Sequence, residues 1–224
     1  MLEYIVLIAL PCLYLGANKL ADAQKKVAKK TLLIFFVLFL ALLCFRDFSV
    51  GIDLSNYIQE LESAKKLPWA HVFELEGEWG WFIYKKLFVS LFSDPRLFII
   101  LCAFLTVVPI SLVYYKEAEN PLIVIALFVT VAPFTMIFSG LRQSIAMAIG
   151  VLAFSSIKNK KFIRYILCVA IAFCFHTSAF VLLFMPLYFL KLNKKSIWVV
   201  AVLALIIFIF RAEIFTLLVG LLPE

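Results

Sequence analysis

Apolar residues in this chain come in long runs separated by short polar clusters, not as the one-sided stripe of a soluble helix. Runs at about 2–17, 31–45, 97–115, 121–138, 141–157 and 196–210 approach the ~20 residues a helix needs to cross a bilayer. The stretch 162–190 holds two further arms of about 14 residues each if it turns near His176, and such a turn can sink below the surface to line a wet cavity. One long tilted helix through His176 is the competing reading. Two shorter elements break the membrane pattern. Residues 54–66 read as a surface helix, capped by Asp53 or Ser55 and closed by Lys65, Lys66 and Pro68. Residues 79–92 are apolar but too short to span, and Trp79, Trp81 and Tyr84 suit headgroup depth, so an interfacial helix is expected there. The pattern thus predicts an all-α, polytopic transmembrane bundle of about eight helices. It forms one membrane domain over 1–224, with an external loop at 46–96 that carries short helices.

Composition agrees: 65% of the residues are hydrophobic and only 16% are charged, which excludes an ordinary soluble domain. A net charge of +7 would suggest nucleic acid, but the lysines sit in short loops between apolar runs, where they carry topology instead. Lys19, Lys25, Lys26, Lys29 and Lys30 place the first loop in the cytoplasm and the N-terminus outside. Lys158, Lys160, Lys161 and Arg164 belong inside, as do Lys191, Lys194 and Lys195, which is what calls for the reversal near His176. Residues 46–96, with eight acidic and six basic side chains, suit the external face. The expected location is therefore the cell inner (plasma) membrane, multi-pass. No basic n-region precedes the first apolar run, so it is expected to be a retained helix and not a signal peptide. The five cysteines lack metal-ligand spacing and read as small buried hydrophobes.

Candidate chemistry centres on Ser139-Gly140-Leu141-Arg142-Gln143-Ser144, an arginine within an apolar stretch. A charge at hydrocarbon depth costs roughly 2.5–3.5 kcal/mol on insertion scales, so it faces a wet cavity, a partner or the interface. Gly140, Ser144 and Ala148 form a small-residue stripe that admits a close neighbouring helix. Arg46, Asp53, Tyr57, Glu78, Arg142, Gln143 and His176 come from four separate stretches, yet all fall on the external side of this topology. Two arginines can clamp a diphosphate through charge-assisted hydrogen bonds. A carboxylate or an imidazole can take the proton of an attacking hydroxyl. Each also has a plainer role: Asp53 as a helix cap, Glu78 as a solvated loop charge, Tyr57 as an interface anchor, Arg142 as a snorkelling helix-end cation. No HExxH, DxD, Walker or GxSxG pattern is present, so neither a metal site nor a cofactor is expected.

Arg46, Gly51-Ile-Asp53-Leu-Ser-Asn-Tyr57, Glu78-Trp-Gly-Trp81, Gly140-Leu-Arg142-Gln143-Ser-Ile-Ala146 and His176-Thr-Ser-Ala179, in that order, resemble the EpsG family. These are Wzy-type polysaccharide polymerases, related in architecture to the glycosyltransferase C superfamily. The resemblance, over about 46–180, implies a membrane glycosyltransferase that joins polyprenyl-diphosphate-linked oligosaccharide repeats in exopolysaccharide or capsule biosynthesis. It implies His176, Glu78 and Asp53 as catalytic residues and Arg46, Arg142, Gln143 and Tyr57 as substrate-binding ones. Expected partners are the lipid-linked oligosaccharide, membrane lipid and other polysaccharide-assembly proteins, with no nucleic acid. Members usually run well past 300 residues, so a C-terminal group of helices is expected to be missing. A transporter or flippase of lipid-linked sugars, or an inactive truncated scaffold, are the alternative functions.

Overall fold

The computed structural model describes residues 22–72, 74–75, 77–131 and 133–189. The helices expected at 2–17 and 196–210, Lys19 and the lysines of 191–195 lie outside the described residues. The chain forms two compact units, one up to Met185 and one from Pro186, and the helices that position the candidate residues belong to the first. The described residues are helical or irregular, with no strand among them.

The first described helix, α1 (Asp22–Phe45), begins nine residues before the expected start at 31. Lys25, Lys26, Lys29 and Lys30 therefore form its first turns and not a loop. Lysine, glutamine and alanine are good helix formers, and no proline or glycine interrupts them. Leu32, Phe36, Phe39 and Leu43 are buried along one face, while Leu33, Val37 and Leu38 are exposed on the other. An apolar outer face of this kind is suited to lipid rather than water.

Next come α2 (Leu54–Lys66), α3 (Trp69–Val72) and α4 (Trp79–Leu91), which together form the segment expected to be external. The bounds of α2 are those the sequence predicts. α4 differs from a simple interfacial helix, because only Trp79 of its tryptophan pair is exposed. Trp81 is fully buried, and Lys85 and Lys86 are buried as well. α4 turns this face onto α2, where polar partners for all three exist, so Trp81 is a core residue of the segment.

α5 (Pro95–Glu117) opens with Pro95 at its first position and Asp94 capping the Arg96 amide at 2.8 Å. The single helix expected over 121–138 is two: α6 (Pro121–Thr130) and α7 (Pro133–Ser139). Pro133 lacks an N–H and disfavours a helical residue before it, so the break falls at Val131, whose backbone is extended. α8 (Leu141–Lys158) is the central helix, packed by α5, α7 and α9. Of the small-residue stripe, Ser144 and Ala148 on α8 are almost wholly buried, and Gly140 at its start is half-buried. α9 (Phe162–Phe175) ends at His176, whose backbone is extended, and a 3₁₀ helix (Thr177–Phe189) follows. The Tyr165 hydroxyl donates to the Leu182 carbonyl at 2.8 Å, so the 3₁₀ helix folds back along α9. The chain reverses at His176; one long helix through this point is excluded.

Of the described helices, Gln24–Phe45 and Pro95–Glu117 are long and apolar enough to cross a bilayer alone, whereas α6, α9 and the 3₁₀ helix are shorter. α8 owes its more polar sequence to being enclosed by protein instead of lipid. The bundle has two chemically distinct ends. At one, Glu117 accepts from Lys158 at 2.7 Å and Lys29 lies 5.2 Å from the Tyr115 ring. At the other, the end of α1, the start of α5, the α7–α8 turn and the end of α9 converge. These ends are separated by the length of α5, about 34 Å at 1.5 Å per residue.

Candidate functional site

The second end of the bundle gathers around one carboxylate. Glu78 Oε2 accepts a hydrogen bond from Arg142 Nη1 at 2.6 Å. Its Oε1 lies 2.6 Å from His176 Nδ1 and also accepts from the Thr177 backbone N–H at 3.1 Å. The side chains are 8% exposed for Glu78, 22% for His176 and 41% for Arg142. The acid is thus the buried centre, and the imidazole and the cation are progressively more exposed. A carboxylate at Glu78 only accepts, so the His176 tautomer that fits this contact carries its N–H on Nδ1 and has Nε2 as its acceptor.

Close backbone approaches hold these three stretches together. A Cβ on Gly80 would lie 2.9 Å from the Cys174 backbone. Only glycine lets the first turn of α4 sit against the end of α9, and this brings Glu78 to His176. Gly51, at φ +120°, would drive a Cβ into the Phe138 carbonyl, so the 46–52 loop is pressed onto the end of α7. Arg46 donates through Nη1 to that same carbonyl, and the Ile52 N–H donates to Ser139 Oγ at 3.1 Å. The loop and the α7–α8 turn are stitched into one floor beneath Arg142.

Tyr57 and Trp81 form the inner wall, edge to face at 5.3 Å between ring centres. Burial pushes the Tyr57 phenol above its ordinary value of 10, and Arg142 beside it opposes the rise. On the far side of Trp81, Glu60 Oε2 accepts from the indole N–H at 3.0 Å and from Lys85 at 2.7 Å. Burial raises the Glu60 carboxyl, but these two donors outweigh it and leave it below its ordinary value of 4.5. Sequence reasoning missed Glu60. Its signal was the spacing: Tyr57 and Glu60 share one face of α2, and Trp81 and Lys85 share one face of α4.

The sequence profile of the EpsG family matches residues 29–224. The chain belongs to the EpsG family. No curated protein and no solved structure matches it. As a member of this Wzy-type polymerase-related family, it is a membrane protein of polysaccharide biosynthesis.

The positions that resemble EpsG members divide in the structure into a joined set and a surrounding set. Glu78, Arg142 and His176 are joined directly, with Tyr57 against Arg142. Arg46 is bonded to none of them. It is 6% exposed, its Nη1 is committed to Phe138, and its Nε meets no partner among the described residues. Burial lowers its pKa from 12.5 to about 10, which leaves it charged at neutral pH. Asp53 occupies the N-cap of α2 without a side-chain cap bond, near enough to bias Tyr57. Gln143 lies over the α7–α8 turn, with its Oε1 3.3 Å from where a Gly140 Cβ would stand. Among the described residues no three His, Cys, Asp or Glu side chains gather as a metal site would need.

Proposed function

We propose that this EpsG-family protein is an inverting membrane glycosyltransferase that polymerises polyprenyl-diphosphate-linked oligosaccharide repeats. The observation that carries the reading is the Arg142–Glu78–His176 relay at this end of the bundle. Nε2 of His176 takes the proton from an acceptor hydroxyl as that oxygen attacks the anomeric carbon of the donor sugar. The bond from that carbon to the diphosphate oxygen breaks, its electron pair leaves with polyprenyl diphosphate, and the anomeric configuration inverts. Arg142 gives one N–H to Glu78 and also bonds the Tyr57 hydroxyl; in this reading its remaining N–H groups stabilise the departing charge. Glu78 acts as a positioning residue, because both its oxygens are already occupied. It fixes the His176 tautomer and stabilises the imidazolium as it forms.

Asp53, whose side chain makes no cap bond, is the second proton acceptor in this reading, and Tyr57 and Gln143 are donors to the sugar or phosphate. Arg46 is reassigned from the diphosphate clamp to the floor, since its bonds go to the protein. The site faces the external side, opposite the lysine-rich end of the bundle, in keeping with the positive-inside rule.

A flippase of lipid-linked sugars is favoured by one observation, the helix broken between α6 and α7, since transporters use discontinuous helices. Cells lacking the gene separate the two readings. Loss of a polymerase leaves single repeats attached to the surface glycan or its lipid. Loss of a flippase traps lipid-linked repeats on the cytoplasmic leaflet, and that outcome overturns the polymerase reading.

A further inference from the structure

Between α2, α3 and α4 lies a cavity of about 470 Å³ that the proposed glycosyl transfer does not use. Its lining is unlike the apolar grooves elsewhere on the bundle. Asn56, Gln59 and Ser63 present amide and hydroxyl groups from α2, and Phe82 presents an aromatic side chain from α4. Amides set around an aromatic surface are what a sugar ring needs: hydrogen bonds for its hydroxyls and a flat apolar contact for its C–H face.

The decisive feature is Lys86. It is 8% exposed, lines this cavity, and its ammonium donates to a backbone carbonyl, that of Ala64, at 3.1 Å. An ammonium has three donors. Among the described residues no carboxylate pairs with it; the nearby carboxylate, Glu60, is bonded to Lys85 and Trp81 instead. A buried cation that no described carboxylate balances is costly, and an anion from outside would offset that cost. Among the described lining residues, two lysines, Lys85 and Lys86, stand against one carboxylate, Glu60.

The cavity also adjoins the reaction centre. Glu60 lines it, yet the same carboxylate feels the charge of Arg142 and is bonded to Trp81, which meets Tyr57 edge to face. We infer that this cavity is a subsite for an acidic sugar, a hexuronic acid or a similarly carboxylated residue, whose carboxylate pairs with Lys86. This rests on the polymerase reading for its biological meaning: the subsite would hold a unit of the repeat beyond the one that reacts. A carboxylated sugar is favoured over a phospholipid headgroup because directional amides and an aromatic wall would be superfluous for a phosphate alone.

The test is equilibrium binding, which needs no turnover. The full chain, in nanodiscs of phosphatidylcholine, is titrated with trigalacturonic acid and with its fully methyl-esterified form, which lacks the charge. The acid should bind at least tenfold more tightly than the ester. Lys86→Met should abolish that difference. Ser63→Leu, which fills the cavity without touching a charge, should weaken both ligands, and it keeps the test valid if the lysine variant does not fold. Equal binding of acid and ester, or no binding of either, overturns the inference. So does loss of acid binding when phosphatidylglycerol replaces part of the lipid, which would give the cation to a headgroup. Binding that survives in His176→Ala while no variant or wild-type protein polymerises would sink the polymerase reading and leave the subsite standing. Full polymerase activity with no preference for the acid would do the reverse.

Discussion

Replacing Glu78 with glutamine probes the relay while nearly preserving its shape. The amide has one acceptor and one donor end where the carboxylate had two acceptors. If its oxygen faces His176 Nδ1 and the Thr177 N–H, its NH₂ points at Arg142 Nη1, donor against donor. If it is flipped, its NH₂ faces Nδ1, so the imidazole takes the other tautomer and Nε2 carries a proton and can no longer accept one. Neither orientation serves the reaction. The equivalent acid-to-amide change in a serine-protease triad costs roughly 10⁴ in kcat. The same logic predicts a fall of about 10³–10⁴ here, or ~4–5.5 kcal/mol in the barrier. The stability cost is smaller. Arg142 is 41% exposed, so its half of the pair is screened, and the loss is about 1 kcal/mol. Single-turnover polymerisation of a lipid-linked repeat reads the first quantity, and thermal unfolding in detergent reads the second. The nitrogen shifts of labelled His176 report the tautomer directly. A variant that keeps its fold and its rate to within threefold, with the tautomer unchanged, refutes the relay.

Three further outcomes follow from the same geometry. Arg142→Lys keeps the charge but loses the planar fork that serves Glu78 and the substrate together, so kcat should fall by about 10²-fold or more with the protein still folded; single-turnover rates check this. Gly80→Ala puts a methyl group 2.9 Å from the Cys174 backbone, so it should separate α4 from α9 and lower activity through the Glu78–His176 distance, which a cross-linking or spin-label measurement between α4 and α9 reads. The Glu60 carboxyl lies below its ordinary value of 4.5 in the fold, so its ionised form adds stability above that pH, and the gain is lost as pH falls through the lowered folded value. Unfolding followed from pH 7 downward should show this loss in the wild type and not in Glu60→Gln.

Local pattern carried most of the helices but not the way they meet. α2 follows from its charge order and its Lys65–Pro68 close, α8 from a small-residue stripe, and the reversal at His176 from the expectation that the lysine clusters share one side. The break at Pro133 was written in the sequence too, yet the apolar run around it has no charged residue to mark a boundary, and hydropathy passes straight over it. The lysines before residue 31 suit a loop by charge and a helix by propensity, and propensity prevailed. Residues 78, 142 and 176 are too far apart for any spacing rule to join them. Their resemblance to a family brought them together, and only the fold shows that they touch. Charge alone also does not reveal the burial of Arg46, Lys85 and Lys86. An arginine near a membrane end and a lysine pair on an amphipathic helix both look like surface groups, and each is instead buried by a neighbour that sequence distance conceals.

If this protein transfers a glycosyl unit with His176 as the base, purified protein in nanodiscs should join polyprenyl-diphosphate-linked repeat units with no other enzyme present. Mass spectrometry of the lipid-linked products reads this most directly. The expected result is a ladder of dimers and longer chains, each step releasing one polyprenyl diphosphate and inverting the anomeric centre, and its loss in His176→Ala with donor binding retained. A folded wild-type protein that leaves the repeat unjoined, or a His176→Ala variant that builds the same ladder at the same rate, contradicts it.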